Sequence, residues 1–259
     1  MGEYVDVAGH PTWLHRCGSG SETILLLHGG LSCSEELLTA LEEPLGSSYE
    51  LVAFDRKGHG WTADTDEPFH YESMADEVIA VVELLGGGPV HVVGWSDGGI
   101  AALLASRRRP DLIARQVLIG TNFHHDGIVL DGLAEDPGVS AGMAESYGRR
   151  SPDGRDHFPV VLEKFNTLAR TEPTLAPGDL AAVATPTLVL VGDDDMVALA
   201  HTVALFEGLR AGQLAVVPGA SHAVPVEKPA LVAGLITEFL QGPVPPPTAL
   251  PVRRAPARS

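Results

Sequence analysis

An α/β fold, with a mostly parallel central sheet, helices on both faces and an inserted cap, is what this 259-residue chain predicts. Three observations point to it. Short runs rich in Val, Leu and Ile recur at strand length. Longer helical patterns alternate with them, as in parallel sheets whose crossovers are helices. One stretch between two such runs is far too long to be an ordinary connection.

The apolar runs fall at 24–27, 51–54, 90–93, 116–119, 187–191 and 214–217. They are continuous rather than alternating, which suits strands covered on both faces. Between them, 74–85 places Val78, Val81, Val82 and Leu85 on one helical stripe, and 98–109, 200–209 and 229–240 fill the later gaps. Two extended pieces around Gly9-His10-Pro11 predict a leading antiparallel hairpin. Residues 122–180 break the rhythm. Connections seldom exceed ~12–15 residues, so this segment reads as a cap over the C-terminal edge of the sheet. The expected organisation is a first core part over 1–121, a cap over 122–180, a second core part over 181–240 and a Pro-rich flexible tail over 241–259.

Apolar residues make up 44% of the chain and charged residues 20%, a globular balance. The formal charge is −17. Such a chain repels phosphate backbones and anionic lipid, so no nucleic acid or membrane surface is expected as partner. Cys17 and Cys33 cannot form a disulfide framework and match no zinc spacing, so free thiols in a reducing cytoplasm are expected. The start, Met1 to Asp6, lacks a basic, apolar leader, and no apolar run approaches the ~18–20 residues of a membrane span. No pattern in the chain speaks to oligomeric state.

Two G-x-S-x-G pentapeptides occur, Gly94-Trp95-Ser96-Asp97-Gly98 and Gly138-Val139-Ser140-Ala141-Gly142. Context separates them. Ser96 lies between a strand and a helix, where a sharp turn forces one residue into strained backbone angles and glycines two before and two after relieve the crowding. Its hydroxyl then stands at the positive end of the helix. Ser140 follows Ala134-Glu135-Asp136-Pro137, which is no strand, and falls within the expected cap. Ser96 is the candidate nucleophile.

With these residues the sequence resembles the α/β-hydrolase superfamily over roughly 20–120 and 185–240. His28-Gly29-Gly30 is similar to the family's oxyanion loop, and Asp55-Arg56-Lys57-Gly58-His59-Gly60 to its D-x-R-G-x-G loop, with Lys57 and Gly58 out of step. Gly192-Asp193-Asp194-Asp195 is similar to the acid loop, and Gly219-Ala220-Ser221-His222 to the histidine loop. The resemblance implies a Ser-His-Asp serine hydrolase needing no cofactor or metal, with His222 as base. The family's G-x-x-D spacing selects Asp195 as acid, with Asp193 and Asp194 as alternatives. It also implies an oxyanion hole from the backbone N–H groups of Asp97 and Gly30, with Leu31 as the alternate. The Gly-Trp-Ser-Asp-Gly-Gly run resembles valacyclovir-hydrolase-like esterases, in which the residue matching Asp97 holds a substrate amino group. The bland reading of Asp97 is a carboxylate favoured in a first helical turn.

The expected reaction is cleavage of a small-molecule carboxylic ester through an acyl-enzyme. Leu31, Trp95, Asp97 and Phe123 are expected to line the substrate pocket. Carbon–carbon bond hydrolysis, lactone opening and cofactor-free perhydrolysis use the same triad, and a ligand receptor of this fold is the non-enzyme alternative. His124, His125 and Asp126 could be taken for a metal site, but a solvated turn is the simpler expectation.

Overall fold

A computed structural model describes residues 2–129 and 137–251. The chain opens with the expected hairpin, β1 (Gly2–Val7) and β2 (His10–Gly18), joined by Ala8 and Gly9, both at positive φ. Two consecutive positive φ values give the turn a twist that matches the flanking strands. Then come β3 (Glu22–Leu27), β4 (Tyr49–Phe54), β5 (Val90–Trp95), β6 (Ile113–Ile119), β7 (Thr187–Asp194) and β8 (Gly212–Ser221). They form one eight-stranded sheet in the order β1-β2-β4-β3-β5-β6-β7-β8. β2 meets β4 antiparallel, and every pairing from β4 to β8 is parallel.

Side-chain alternation explains the continuous apolar runs. In β3, Leu25 and Leu27 face one core while Ile24 and Leu26 face the other. On the first face lie α2 (Tyr71–Leu84) and α3 (Asp97–Arg108), burying Val78, Val81, Val82 and Ile100. On the second lie α1 (Ser34–Leu45) and α8 (Pro229–Gln241), burying Leu37, Leu41, Ile236 and Phe239. Each such side chain adds roughly 1.5–3 kcal/mol when fully buried. α1 is absent from the sequence expectation, although Leu37, Leu38, Leu41 and Leu45 already form a helical stripe.

Between β6 and β7 run α4 (Pro137–Gly148), α5 (Phe158–Thr171) and short 3-10 turns. Phe158, Val161 and Leu168 of α5 join the core that contains α2 and α3. Ser140 sits inside α4, with no strand-to-helix turn around it. After β7 come α6 (Leu199–Gly208), the four-residue α7 (Val224–Glu227) and α8. Residues 242–251 of the expected tail carry no regular element, and 252–259 lie outside the described residues, as do 130–136 of the expected cap. Among the described residues no helix is long and apolar enough to cross a membrane.

Candidate active site

Four segments meet at the C-terminal ends of parallel strands: 28–31 after β3, Ser96 after β5, 193–198 at and beyond the end of β7 and 219–223 at and beyond the end of β8. Ser96 is held at φ 54°, ψ −121°, between β5 and α3. Its N–H donates to Ile119 O at 2.8 Å, and its carbonyl accepts from Gly99 N at 2.8 Å and Ile100 N at 3.1 Å. A non-glycine residue at such angles costs of order 1–3 kcal/mol and persists because its surroundings fix it. The turn is tight enough that a Cβ at Gly94 would strike Gly98 O, and one at Gly98 would strike Leu27 O.

The three consecutive aspartates separate by role. Asp195 Oδ1 accepts from His222 Nδ1 at 2.8 Å and from Val197 N at 2.9 Å, and its side chain is almost wholly buried. Asp193 Oδ1 accepts from Gly219 N at 2.7 Å and Ala220 N at 3.2 Å, stapling the loop that carries His222. Asp193 is exposed, and Asp194 is the last residue of β7, paired in register with Ser221. The imidazole of His222 lies over the end of β6, where a Cβ at Gly120 would come within 2.9 Å of Nδ1 and 3.1 Å of Asp195 Oδ2. Gly120 has φ +54°, a conformation suited to glycine. Among the described residues no hydrogen bond joins Ser96 Oγ to His222. Such contacts commonly tighten only when substrate is bound.

The loop after β3 is shaped by residues that sequence reasoning left in the background. Arg56 is fully buried and donates from Nη1 to His28 O at 2.6 Å and from Nη2 to Gly29 O at 3.0 Å. These bonds occupy the carbonyls of residues 28 and 29. Leu31 follows at φ 54°. Burial first, and the Arg56 charge second, push His28 well below its ordinary pKa, so it is neutral. Asp55 accepts from Ser34 N at 2.7 Å and Trp61 N at 2.8 Å, tying the start of α1 to the same bracket. The D-x-R-G-x-G-like run was the available signal, but only tertiary contacts reveal that Arg56 serves the neighbouring loop.

Asp97 is 5% exposed. Its Oδ1 accepts from Tyr71 Oη at 2.8 Å, while Oδ2 is buried without a hydrogen-bond partner. A Cβ at Gly30 would lie 2.5 Å from Oδ2 and would also strike the ring of Phe165, from α5. Asp97 and Phe165 therefore wall the candidate oxyanion loop. Burial raises the Asp97 pKa, opposed by the Arg56 charge and the Tyr71 hydroxyl. Neither Tyr71 nor Phe165 stands in any local motif, so sequence reasoning missed both.

The remaining expected pocket residues sit differently. Trp95 is 9% exposed, packs in the core that contains α1 and α8, and donates from Nε1 to His222 O at 2.8 Å. Phe123 is buried, stacked on His201 at 4.0 Å between centroids, and its N–H donates to His201 Nε2. His124, His125 and Asp126 bring ligating atoms within 4.8 Å of one another. His124 Nδ1 already accepts from Asp126 N at 3.2 Å, a hydrogen bond that closes the turn.

A family model described as "Alpha/beta hydrolase family" matches residues 24–235. The chain belongs to the α/β-hydrolase family. Mouse serine hydrolase BPHL is 27% identical over 254 residues, covering 91% of this hydrolase and 85% of the mouse protein. A putative carbamate hydrolase, RutD of Rhizobium rhizogenes, is 29% identical over 241 residues, covering 84% and 92%. Among solved structures, a meta-cleavage product hydrolase of Pseudomonas fluorescens superposes with TM-score 0.73 at 21% identity, over 92% of this hydrolase and 97% of its own chain. A serine hydrolase involved in carbazole degradation reaches TM-score 0.77, also at 21% identity, over 93% and 98%. These structural likenesses concern the fold.

Proposed function

We propose that this hydrolase cleaves a small-molecule carboxylic ester through an acyl-enzyme on Ser96. The observation that carries the reading is the 2.8 Å bond from His222 Nδ1 to the buried Asp195 Oδ1, made beside a serine in strained elbow geometry. That bond fixes a tautomer whose Nε2 is free to accept a proton. Ser96 Oγ attacks the ester carbonyl as His222 takes its proton. The backbone N–H groups of Asp97 and Gly30 hold the oxyanion, each donor contributing ~2.7–4 kcal/mol where measured. His222 then protonates the leaving alcohol. Water, deprotonated by the same imidazole, attacks the acyl-enzyme and releases the acid.

The name serine hydrolase carried by BPHL supports the nucleophile. The RutD relatives are named for carbamates, whose carbonyl would meet the same donors. We assign residues 122–180 as the cap that selects substrate. Leu31, Asp97, Trp95 and Phe123 are assigned to the walls of the pocket or to their support. Free Cys17 and Cys33 fit a reducing, cytoplasmic setting.

A fluorophosphonate probe, followed by peptide mapping, tests the nucleophile. Label on Ser96 that vanishes in Ser96→Ala is expected; label elsewhere, or none, removes the reading. A panel of acyl, aminoacyl and carbamoyl esters then ranks substrate classes. The unpartnered Oδ2 of Asp97 favours a cationic or hydrogen-donating group on the substrate. Asp97→Asn is thus expected to lower kcat/KM for an aminoacyl ester about tenfold more than for its des-amino analogue, and equal losses would dismiss that role.

A further inference from the structure

Ser96 and His222 follow strands that are not neighbours. β6 and β7 lie between β5 and β8. Three strand spacings amount to roughly 14 Å, so hydroxyl and imidazole meet only if the loop after β8 folds back across the sheet edge by a fixed amount. Several contacts shape that loop. Asp193 holds the amides of Gly219 and Ala220. Glu227 holds Ser221 at both N and Oγ, at 2.7 and 2.8 Å. Asp195 holds the ring of His222. All of these partners lie on β7, its following loop or α7, on the same side of the gap as His222. They orient the loop without measuring its distance to the nucleophile.

One hydrogen bond crosses the gap. The indole Nε1 of Trp95, the residue immediately before Ser96, donates to the backbone carbonyl of His222 itself at 2.8 Å. Among the described residues it is the single hydrogen bond between the elbow, 94–98, and the loop 219–223. The two rings lie 6.1 Å apart at 39°. Trp95 is itself immobilised, being the last residue of β5 and buried in the core that holds Ile119, Ala220 and Val224. Its position is therefore set by the strand that also sets Ser96, and its bond is made to the residue that carries the base.

We propose that Trp95 is a positioning residue: its indole N–H fixes the backbone of His222 relative to Ser96 and so sets the hydroxyl-to-imidazole separation. The inference rests on the reading of Ser96 and His222 as nucleophile and base. It gives Trp95 a role other than contact with substrate. Tryptophan suits it because the side chain needs an apolar body to fill the core and a rigid donor at its far end. Phe, Leu or Met would supply the body without the donor.

A double-mutant cycle on the intact protein tests this, with the second-order rate of Ser96 phosphonylation by a fluorophosphonate as readout. Trp95→Phe, and the isosteric benzothiophene side chain at the same position in case the phenyl ring packs poorly, remove the donor. The expected result is a roughly tenfold slower reaction in the presence of His222 and no further loss when either change is combined with His222→Ala. Equal slowing in both backgrounds would mean that Trp95 only shapes the core or the pocket, and would overturn the proposal. No slowing in either would also overturn it. An unlabelled Ser96 in the unmodified protein would instead overturn the reading of the site, and the proposal with it.

Discussion

At the scale of single residues, three adjacent and chemically identical side chains receive three environments. Asp195 is buried against an imidazole, Asp193 is exposed and tied to two amides, and Asp194 lies at the end of β7. Identity therefore does not set the role; the partners that the fold brings to each carboxylate do. Asp195→Asn would still fill the space but could not stabilise an imidazolium. A fall in kcat of about 10⁴-fold with little change in Tm is expected. Asp193→Ala removes the acceptor from the amides of Gly219 and Ala220, which water partly replaces at this exposed site, and should cost roughly 0.5–1.5 kcal/mol in unfolding free energy, with kcat reduced by much less. Kinetics and urea titration of the two variants would show the reverse ranking if Asp193 were the acid.

At the scale of elements, α2 carries a charge that its surroundings oppose. Glu77 is buried on the helix face toward Arg56, and its Oε2 has no partner. Burial pushes its pKa up to about 7 from an ordinary 4.5, against the nearby Arg56 and Lys57 charges. Between those two values the folded chain binds more protons at this site than the unfolded chain. Its contribution to stability is thus full below about pH 4.5 and lost as pH rises through 7, by at most about 3 kcal/mol. Glu77→Gln lacks that loss. Relative to the unmodified chain, its stability should rise between pH 5 and pH 8 in urea titrations at each pH. A difference that stays constant across the window would show that Glu77 is ionised throughout.

At the scale of the whole molecule, charged side chains help tie the segment between β6 and β7 to the rest, and three such ties involve Asp64, Glu172 and Arg150. Asp64, its side chain 3% exposed, accepts from Lys164 Nζ at 2.8 Å and His157 Nε2 at 2.8 Å. Burial alone would raise its pKa, but the hydrogen bonds from Lys164 and His157 hold it below the ordinary value. Glu172 accepts from Tyr71 N at 3.0 Å and bonds His70 Nδ1 at 2.6 Å. Arg150 donates to Glu35 at 2.7 Å. The Asp64 tether is the most buried of the three and should dominate. Lys164 and His157 are partly reached by solvent, so Asp64→Ala should take roughly 1–3 kcal/mol from local stability, less than the loss of a partner from a fully buried pair. Amide exchange across 158–171 should accelerate while that of β3 and β5 does not. Uniform acceleration would show that the segment and the sheet open together.

Much of this arrangement is legible in the linear order of residues. Continuous apolar runs dictate strands buried on two faces, the hairpin follows from two extended pieces around a glycine, and a serine between Gly94 and Gly98, set between an apolar run and a helical pattern, dictates a tight strand-to-helix turn, because these features depend on near neighbours. The roles of Asp195 and His222 were legible through the family resemblance, but the Arg56 bracket on His28 and Gly29, the Tyr71 bond to Asp97 and the Trp95 bond to His222 join residues 26 to 127 positions apart. No local pattern encodes them, since they arise only when strand order and helix packing bring distant loops to one edge. The missed helix α1 differs in kind: its leucine stripe was present, but Pro44 and the adjoining glycine-rich loop mask it until Ser34 N meets the buried carboxylate of Asp55.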